Sequence, residues 1–278
     1  MVECDALYKL IEQGLVVVID TRSEQAYAQC HIPGALNIHD IFTYLVTRDN
    51  GGLEAMVEHY KALFEANGIR RSDSVVIYED AMDNGYGQSC RGRFLMHYMG
   101  HEDVRVLHGG YRAWRAAGLP LTDELPEITP STYPVDINPE EMLTAEDLLA
   151  SLDDPSVLLL DCRDHAEWVG ATSSPYGVDY NPRKGRIPGS VWIEWYQMMY
   201  RKDGIPWIKD KESVLEVCKE VGITPDTKVY IYCFKGARAS NMLMTLKMAG
   251  IQNVRNYLAS WNEWSRDFSL PIDEDYPV

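Results

Sequence analysis

Positive charge is scarce in this chain of 278 residues: 26 lysines and arginines stand against 42 aspartates and glutamates, a formal net charge of −16. That balance argues against a nucleic-acid binder and against attachment to an anionic membrane surface. Long apolar runs are missing as well. No stretch approaches the ~20 apolar residues that cross a bilayer. The opening Met-Val-Glu-Cys-Asp-Ala-Leu-Tyr has no basic segment followed by an apolar one, so no secretory signal is expected. Paired cysteine spacing is also absent. Cys4, Cys30, Cys90, Cys162, Cys218 and Cys233 are scattered, with few histidines near them. This suits reduced thiols in a cytoplasmic protein better than a disulfide framework or a zinc site. Neither a metal nor a cofactor is expected. Hydrophobic residues, by contrast, make up 46% of the chain. That is ample for two ordinary cores, and the length favours two domains.

Against that acidic background, one cationic stretch stands out. Residues 226–243 read Asp-Thr-Lys-Val-Tyr-Ile-Tyr-Cys-Phe-Lys-Gly-Ala-Arg-Ala-Ser-Asn-Met-Leu. A β-rich run, Val229 to Tyr232, stops at Cys233, and the loop to Arg238 leads into a helical pattern of Met242, Leu243, Leu246 and Met248. Strand, tight loop and helix together aim backbone N–H groups and a positive dipole end at whatever the loop holds. A thiol placed there, with Lys235 and Arg238 close by, should ionise more readily than a free cysteine. Gly236 allows the sharp turn that lets several amides converge on one point. Cys233 is therefore the candidate nucleophile. Phe234, Lys235, Gly236, Ala237 and Arg238 form the candidate binding loop for an anionic substrate.

The rest of the chain reads as one pattern written twice. Short apolar runs alternate with helical spacing: strands at Leu15–Ile19, Ser74–Tyr78 and Val104–Leu107, helices at Ala6–Gln13, Val57–Ala66, Ser89–Met99 and Gly110–Ala117. Such alternation indicates an α/β unit with a mainly parallel sheet flanked by helices. Four prolines and several acids between Thr122 and Glu141 mark an extended connector. The expected division is thus 1–121, a linker at 122–141, and 142–278. Beyond the linker, Asp161-Cys162-Arg163 matches Asp20-Thr21-Arg22, and Arg186-Ile187-Pro188-Gly189-Ser190 matches His31-Ile32-Pro33-Gly34-Ala35. Lys228–Tyr232 matches Ser74–Tyr78, and Gly250–Trp264 echoes Gly100–Trp114. Placing the strands in register sets Glu79 where Cys233 stands, so only the second half is expected to do chemistry.

Asp-x-Arg, then Ile-Pro-Gly-Ala/Ser, then Tyr-Cys-x-x-Gly-x-Arg-Ala-Ser together resemble the rhodanese superfamily, and the duplication resembles its two-domain sulfurtransferases. The resemblance covers almost the whole chain. It implies tandem rhodanese-like domains, the first lacking the nucleophile, and a double displacement. Cys233 would take a sulfane sulfur from a small anionic donor as a persulfide, then pass it to cyanide or a thiol, with a thioredoxin-like protein among the candidate acceptors. Thiosulfate is the expected donor and 3-mercaptopyruvate the alternative. Mercaptopyruvate enzymes typically carry Cys-Gly-Ser/Ala-Gly-Val-Thr, whereas this loop is Cys-Phe-Lys-Gly-Ala-Arg. Lys235 matches the lysine of vertebrate-type thiosulfate enzymes, although Phe234 replaces their arginine. Four residues after the Asp-x-Arg arginine both classes often bind substrate with an arginine, and here Glu167 removes that carboxylate-binding fork. Arg183, Lys184 and Arg186 are the cations available to replace it.

Other readings compete. A phosphatase or arsenate reductase on the same fold would place five residues between cysteine and arginine. Four stand here, a ring that fits sulfur and crowds a tetrahedral phosphate. A non-catalytic binding module is opposed by the intact Cys233 loop. Cys90 is the best rival thiol, but no strand-to-nest loop precedes it. Cys162 reads as packing, Arg22 and Arg163 as structural ion pairs, and His31 and His165 as surface or packing groups.

Overall fold

A computed structural model describes residues 1–48, 51–178 and 180–277. The chain divides into two compact units. The first is built from Met1–Tyr44, Gly51–Asn138 and Arg201–Trp207, and the second takes in Pro139–Tyr200 and the chain from Ile208 onward.

In the first unit β1 (Val17–Asp20), β2 (Leu36–Asn37), β3 (Val75–Tyr78) and β4 (Val104–Val106) form a parallel sheet of order β2-β1-β3-β4. Helices α1 (Cys4–Glu12), α2 (Glu24–Gln29), α3 (Asp40–Thr43), α4 (Gly52–Ala66), α5 (Gln88–Tyr98) and α6 (Gly110–Ala116) accompany it. Every residue of β3 is buried. This is why the strands read as continuous apolar runs: a parallel sheet is covered on both faces, so there is no polar side to alternate with. One core cluster joins Leu7, Val18, Tyr27, Val76, Tyr78 and Trp114.

The second unit repeats the plan with one more strand. From Met142 onward the elements are β5 (Met142–Leu143), α7 (Ala145–Ala150), β6 (Val157–Asp161), α8 (His165–Trp168), β7 (Val191–Trp192), β8 (Met199–Lys202), β9 (Ile205–Ile208), α9 (Lys211–Glu220), β10 (Lys228–Tyr232), α10 (Ala237–Met248), β11 (Val254–Tyr257) and α11 (Ser260–Trp264). The sheet order here is β5-β11-β10-β6-β7, all parallel. Thr144 caps α7 in a capping box with Asp147. Strands β8 and β9 form a separate ribbon, most of which (Arg201–Trp207) belongs to the first unit, and it has no counterpart among the described residues of the first half.

Both halves carry the same buried clamp beneath the strand ends. Arg22 forks onto Asp20 and reaches the Cys30 carbonyl, while Tyr78 donates its hydroxyl to Asp20 at 2.6 Å. Arg163 forks onto Asp161 and reaches the Gly185 carbonyl, while Tyr232 donates to Asp161 at 2.7 Å. Each tyrosine oxygen also accepts the amide of the isoleucine in the Ile-Pro-Gly turn, Ile32 or Ile187. The arginines thus tie turn to strand, in the structural role expected of them.

The proline-rich connector has no regular element over residues 123–139, yet it is not loose. Ser131 bonds the Glu65 and Ile69 carbonyls, and Tyr133 is fully buried against Phe64 and His101. Among the described residues, no helix is long and apolar enough to cross a membrane.

Candidate active site

β10 runs between β6 and β11, so its C-terminal end opens at the middle of the sheet. There the chain turns through Cys233, Phe234, Lys235 and Gly236 into α10. Gly236 adopts φ +83°, and a Cβ at that position would lie 2.4–2.6 Å from Leu258 atoms. Both the turn and the close approach therefore require glycine. The turn directs the Gly236 N–H onto the Cys233 sulfur at 3.1 Å. The rest of the loop is bolted to α11: the Cys233 and Phe234 carbonyls accept the amides of Trp261 (3.0 Å) and Asn262 (2.9 Å). The Cys233 N–H donates to the Ser260 hydroxyl at 3.1 Å, and that hydroxyl donates to the Tyr257 carbonyl at 2.6 Å. Ser260 holds φ +57°, an uncommon conformation for a residue other than glycine.

Electrostatics set the thiol apart from an ordinary buried cysteine. Burial alone would push it up. A hydrogen bond from the Cys162 thiol, the Arg238 charge, and the amides of Ala239 and Lys235 reverse this and hold it well below the usual thiol range. The site thus favours the thiolate form of the sulfur. Cys162 moves the opposite way: burial first, then the neighbouring Cys233 and Asp161, push it well above that range.

Among the expected loop residues, Phe234, Gly236 and Ala237 line the turn and are buried. Lys235 is mostly buried, its ammonium 3.5 Å from the Tyr176 hydroxyl and 5.7 Å from the ring centroid. Arg238 differs from a side chain held open for substrate. Its two terminal nitrogens take the Glu167 carboxylate at 2.6 and 3.0 Å, and one also takes Asp164 at 2.8 Å. Glu167, read from the sequence only as a missing arginine, is the buried partner that aims Arg238. Burial pushes its own carboxyl up, and Arg238 opposes that. The side chains of Arg183 and Arg186 are engaged with other partners. Arg183 binds the carbonyls of Trp264, Ser265, Asp267 and Leu270, while Arg186 binds Asp273 and the Asp275 carbonyl. The hydrogen bonds of neither include the 233–238 loop.

The site is covered. Cys233 is only 1% exposed. Beside it Phe234 packs against Tyr176 (5.5 Å between ring centroids) and Tyr180 (6.1 Å), both exposed to solvent on their far sides. These tyrosines escaped the sequence reading, and Cys162 reads there as packing. Ser260 left only a trace, since it stands opposite Gly110 in the repeat. Among the described residues no group of His, Cys, Asp and Glu could hold a metal ion.

A parallel α/β sheet with a thiolate at a central strand end, set in a loop of converging amides, defines a class of cysteine-dependent transfer proteins. Within that class the rhodanese-like domain family matches residues 3–117 and 144–267, and the chain belongs to that family of sulfurtransferase enzymes. A thiosulfate sulfurtransferase of Pseudomonas aeruginosa is 28% identical over 93% of this chain and 91% of its own. The sulfur carrier protein TtuD of Thermus thermophilus is 30% identical over 98% and 95%. Among solved structures, the anaerobic ergothioneine biosynthesis enzyme of Chlorobium limicola, in complex with trimethyl histidine, superimposes with a TM-score of 0.86 at 26% identity, covering all of this chain and 70% of that one. A form of EanB carrying a cysteine persulfide, with ergothioneine, gives a TM-score of 0.87, also at 26% identity.

Proposed function

We propose that the protein moves a sulfane sulfur from thiosulfate to a thiophilic acceptor through a persulfide on Cys233. The observation that carries this is the Cys233 sulfur, ionised below the ordinary thiol range with the Gly236 amide donating to it at 3.1 Å. The thiolate attacks the outer sulfur of thiosulfate, and sulfite leaves with the bonding pair. The terminal sulfur then carries the negative charge, where the loop amides stabilise it as they stabilised the thiolate. Cyanide or a thiolate, from a small molecule or a thioredoxin-like protein, attacks that sulfur and regenerates Cys233. Lys235 supplies the attraction for a dianion, because the Arg238 charge is shared with Glu167 and Asp164. Access requires the loop around Cys233 to shift, since the resting sulfur is buried. The names of the relatives support thiosulfate as donor, and the EanB persulfide supports the covalent intermediate.

A 2-oxo acid donor such as 3-mercaptopyruvate needs an arginine fork for its carboxylate. Glu167 holds the position where that fork is common, and Arg183 and Arg186 are engaged with carbonyls and Asp273, which disfavours this donor. The cytoplasm fits six unbridged thiols. Parallel assays with thiosulfate, 3-mercaptopyruvate and a phosphate ester test the reading. Thiosulfate is expected to be the fastest by at least tenfold; a preference for 3-mercaptopyruvate or for the ester would overturn it.

A further inference from the structure

The sheet register makes Cys162 the cross-strand neighbour of Cys233. Asp161 pairs with Tyr232, and the Cys162 N–H continues the ladder to the Tyr232 carbonyl at 3.1 Å. The next residues along the two strand ends, Cys162 and Cys233, therefore face each other on the same side of the sheet. Neighbouring strands lie ~4.8 Å apart, inside the ~4.4–6.8 Å between Cα atoms that a disulfide spans. The Cys162 thiol has one proton and two acceptors within reach, the Tyr232 carbonyl at 3.2 Å and the Cys233 sulfur.

Packing does not explain a sulfur there. In the first unit Thr21 occupies the equivalent place, and its hydroxyl makes the equivalent bond to the Tyr78 carbonyl at 3.0 Å. A hydroxyl meets the structural need where the neighbouring side chain is Glu79. A thiol stands where the neighbour is the nucleophile.

Resting on the persulfide reading above, we propose that Cys162 is a resolving thiol, which discharges an unused persulfide on Cys233 by forming the Cys162–Cys233 disulfide. The Cys162 sulfur attacks the inner sulfur of the persulfide, the S–S bond to the terminal sulfur breaks, and the Cys162 proton leaves with that sulfur as hydrosulfide. The two protein sulfurs are oxidised to a disulfide and the sulfane sulfur is reduced to sulfide, so electrons balance without an outside oxidant. Buried and protonated, the thiol attacks slowly, and an acceptor that arrives promptly wins the sulfur. An acceptor that does not arrive leaves the enzyme closed, with both sulfurs protected from further oxidation. A dithiol reductant, small or carried on a protein, reopens it by exchange.

The test is intact-mass spectrometry of the full chain after one equivalent of thiosulfate without acceptor, together with sulfide determination and peptide mapping of alkylated protein. Wild type should first gain the mass of one sulfur. It should then convert to a form two hydrogens lighter than the reduced chain, releasing one equivalent of sulfide, with Cys162 linked to Cys233 and dithiothreitol restoring the starting mass. In Cys162→Thr, which copies the hydroxyl of Thr21, and in Cys162→Ser, the sulfur adduct should last at least tenfold longer and no lighter form should appear. Wild-type protein that keeps its extra sulfur as long as the variants, or maps to another linkage, overturns the proposal and leaves the persulfide intact. Should a variant fail to fold, the wild-type linkage map still decides. Protein that never takes up sulfur on Cys233 overturns both this proposal and the reading it rests on.

Discussion

Cys233 and Glu79 stand at the same point of the two repeats, and each fills an anion nest. Tyr111 and Arg112 bond the carbonyls of Glu79 and Asp80 just as Trp261 and Asn262 bond those of Cys233 and Phe234. The Glu79 carboxylate accepts the amides of Gly87 (3.1 Å) and Gln88 (3.0 Å) and the Ser89 hydroxyl (2.6 Å). Gly85 is bare because a Cβ there would fall 2.0 Å from a Glu79 oxygen. The two nests are equally buried, yet their anions shift in opposite directions. Burial pushes the Glu79 carboxyl up to about 8 in spite of Ser89 and the amides of Gln88, Ser89 and Gly87, whereas the Cys233 thiol falls. Amides alone do not offset the loss of water; a guanidinium and a neighbouring thiol do. The first nest holds a tethered carboxyl group steadied by amides and a hydroxyl, and the second holds a sulfur with a cation beside it.

Exchanging the proposed nucleophile gives the largest effect on that comparison. Cys233→Ser should reduce transfer from thiosulfate to cyanide by about 10⁴-fold or more, the scale on which covalent nucleophiles are lost. Glu79→Cys should gain no measurable activity, and Cys90→Ser should keep most of it; thiocyanate formation reads all three. A comparable loss from Cys90→Ser would show that the wrong thiol has been chosen.

Stability against pH separates the nests next. Glu79 titrates near 4.5 in the unfolded chain and near 8 when folded, so folding takes up a proton between those values. The contribution is complete below the unfolded value and fades as pH rises through about 8, by up to a few kcal/mol at ~1.4 kcal/mol per pKa unit. Urea unfolding from pH 5 to 8 should show this loss, and Glu79→Gln should flatten it. An unchanged slope in that variant would mean that Glu79 stays ionised in the fold.

Ser260→Gly restores the residue found at the matching place, Gly110, which has φ +63°. It relieves the backbone but leaves the Cys233 N–H without its acceptor, a loss of about 1–2 kcal/mol in positioning. Transfer should fall about tenfold while thermal stability holds or rises. A fall in both would place Ser260 in the fold rather than in the site.

The smallest effect concerns the lysine that the second nest adds. Lys235→Ala should weaken use of thiosulfate about three- to tenfold, the range of one partly screened charge contact. An uncharged sulfur donor should be hardly affected. Equal losses with both donors would remove Lys235 from charge selection.

Local sequence already determined much of this protein. The apolar runs at Val75–Tyr78 and Val229–Tyr232 dictate buried parallel strands, the repeated Asp-x-Arg and Ile-Pro-Gly segments dictate the duplicated clamp, and Cys233 with Gly236 sets the proposed nucleophile in a turn. Each is a short-range pattern that needs only neighbours along the chain. What lay beyond reach was set by pairing across strands and loops. Cys162 becomes the neighbour of Cys233 through a register linking residues some 70 positions apart. Glu167 meets Arg238 across a similar distance, 71 positions, Ser260 holds the Cys233 amide, and Tyr176 and Tyr180 pack against Phe234. Only tertiary structure could decide these, because the charge state and exposure of a side chain depend on what surrounds it in space, and that surrounding is assembled from segments the linear order keeps apart.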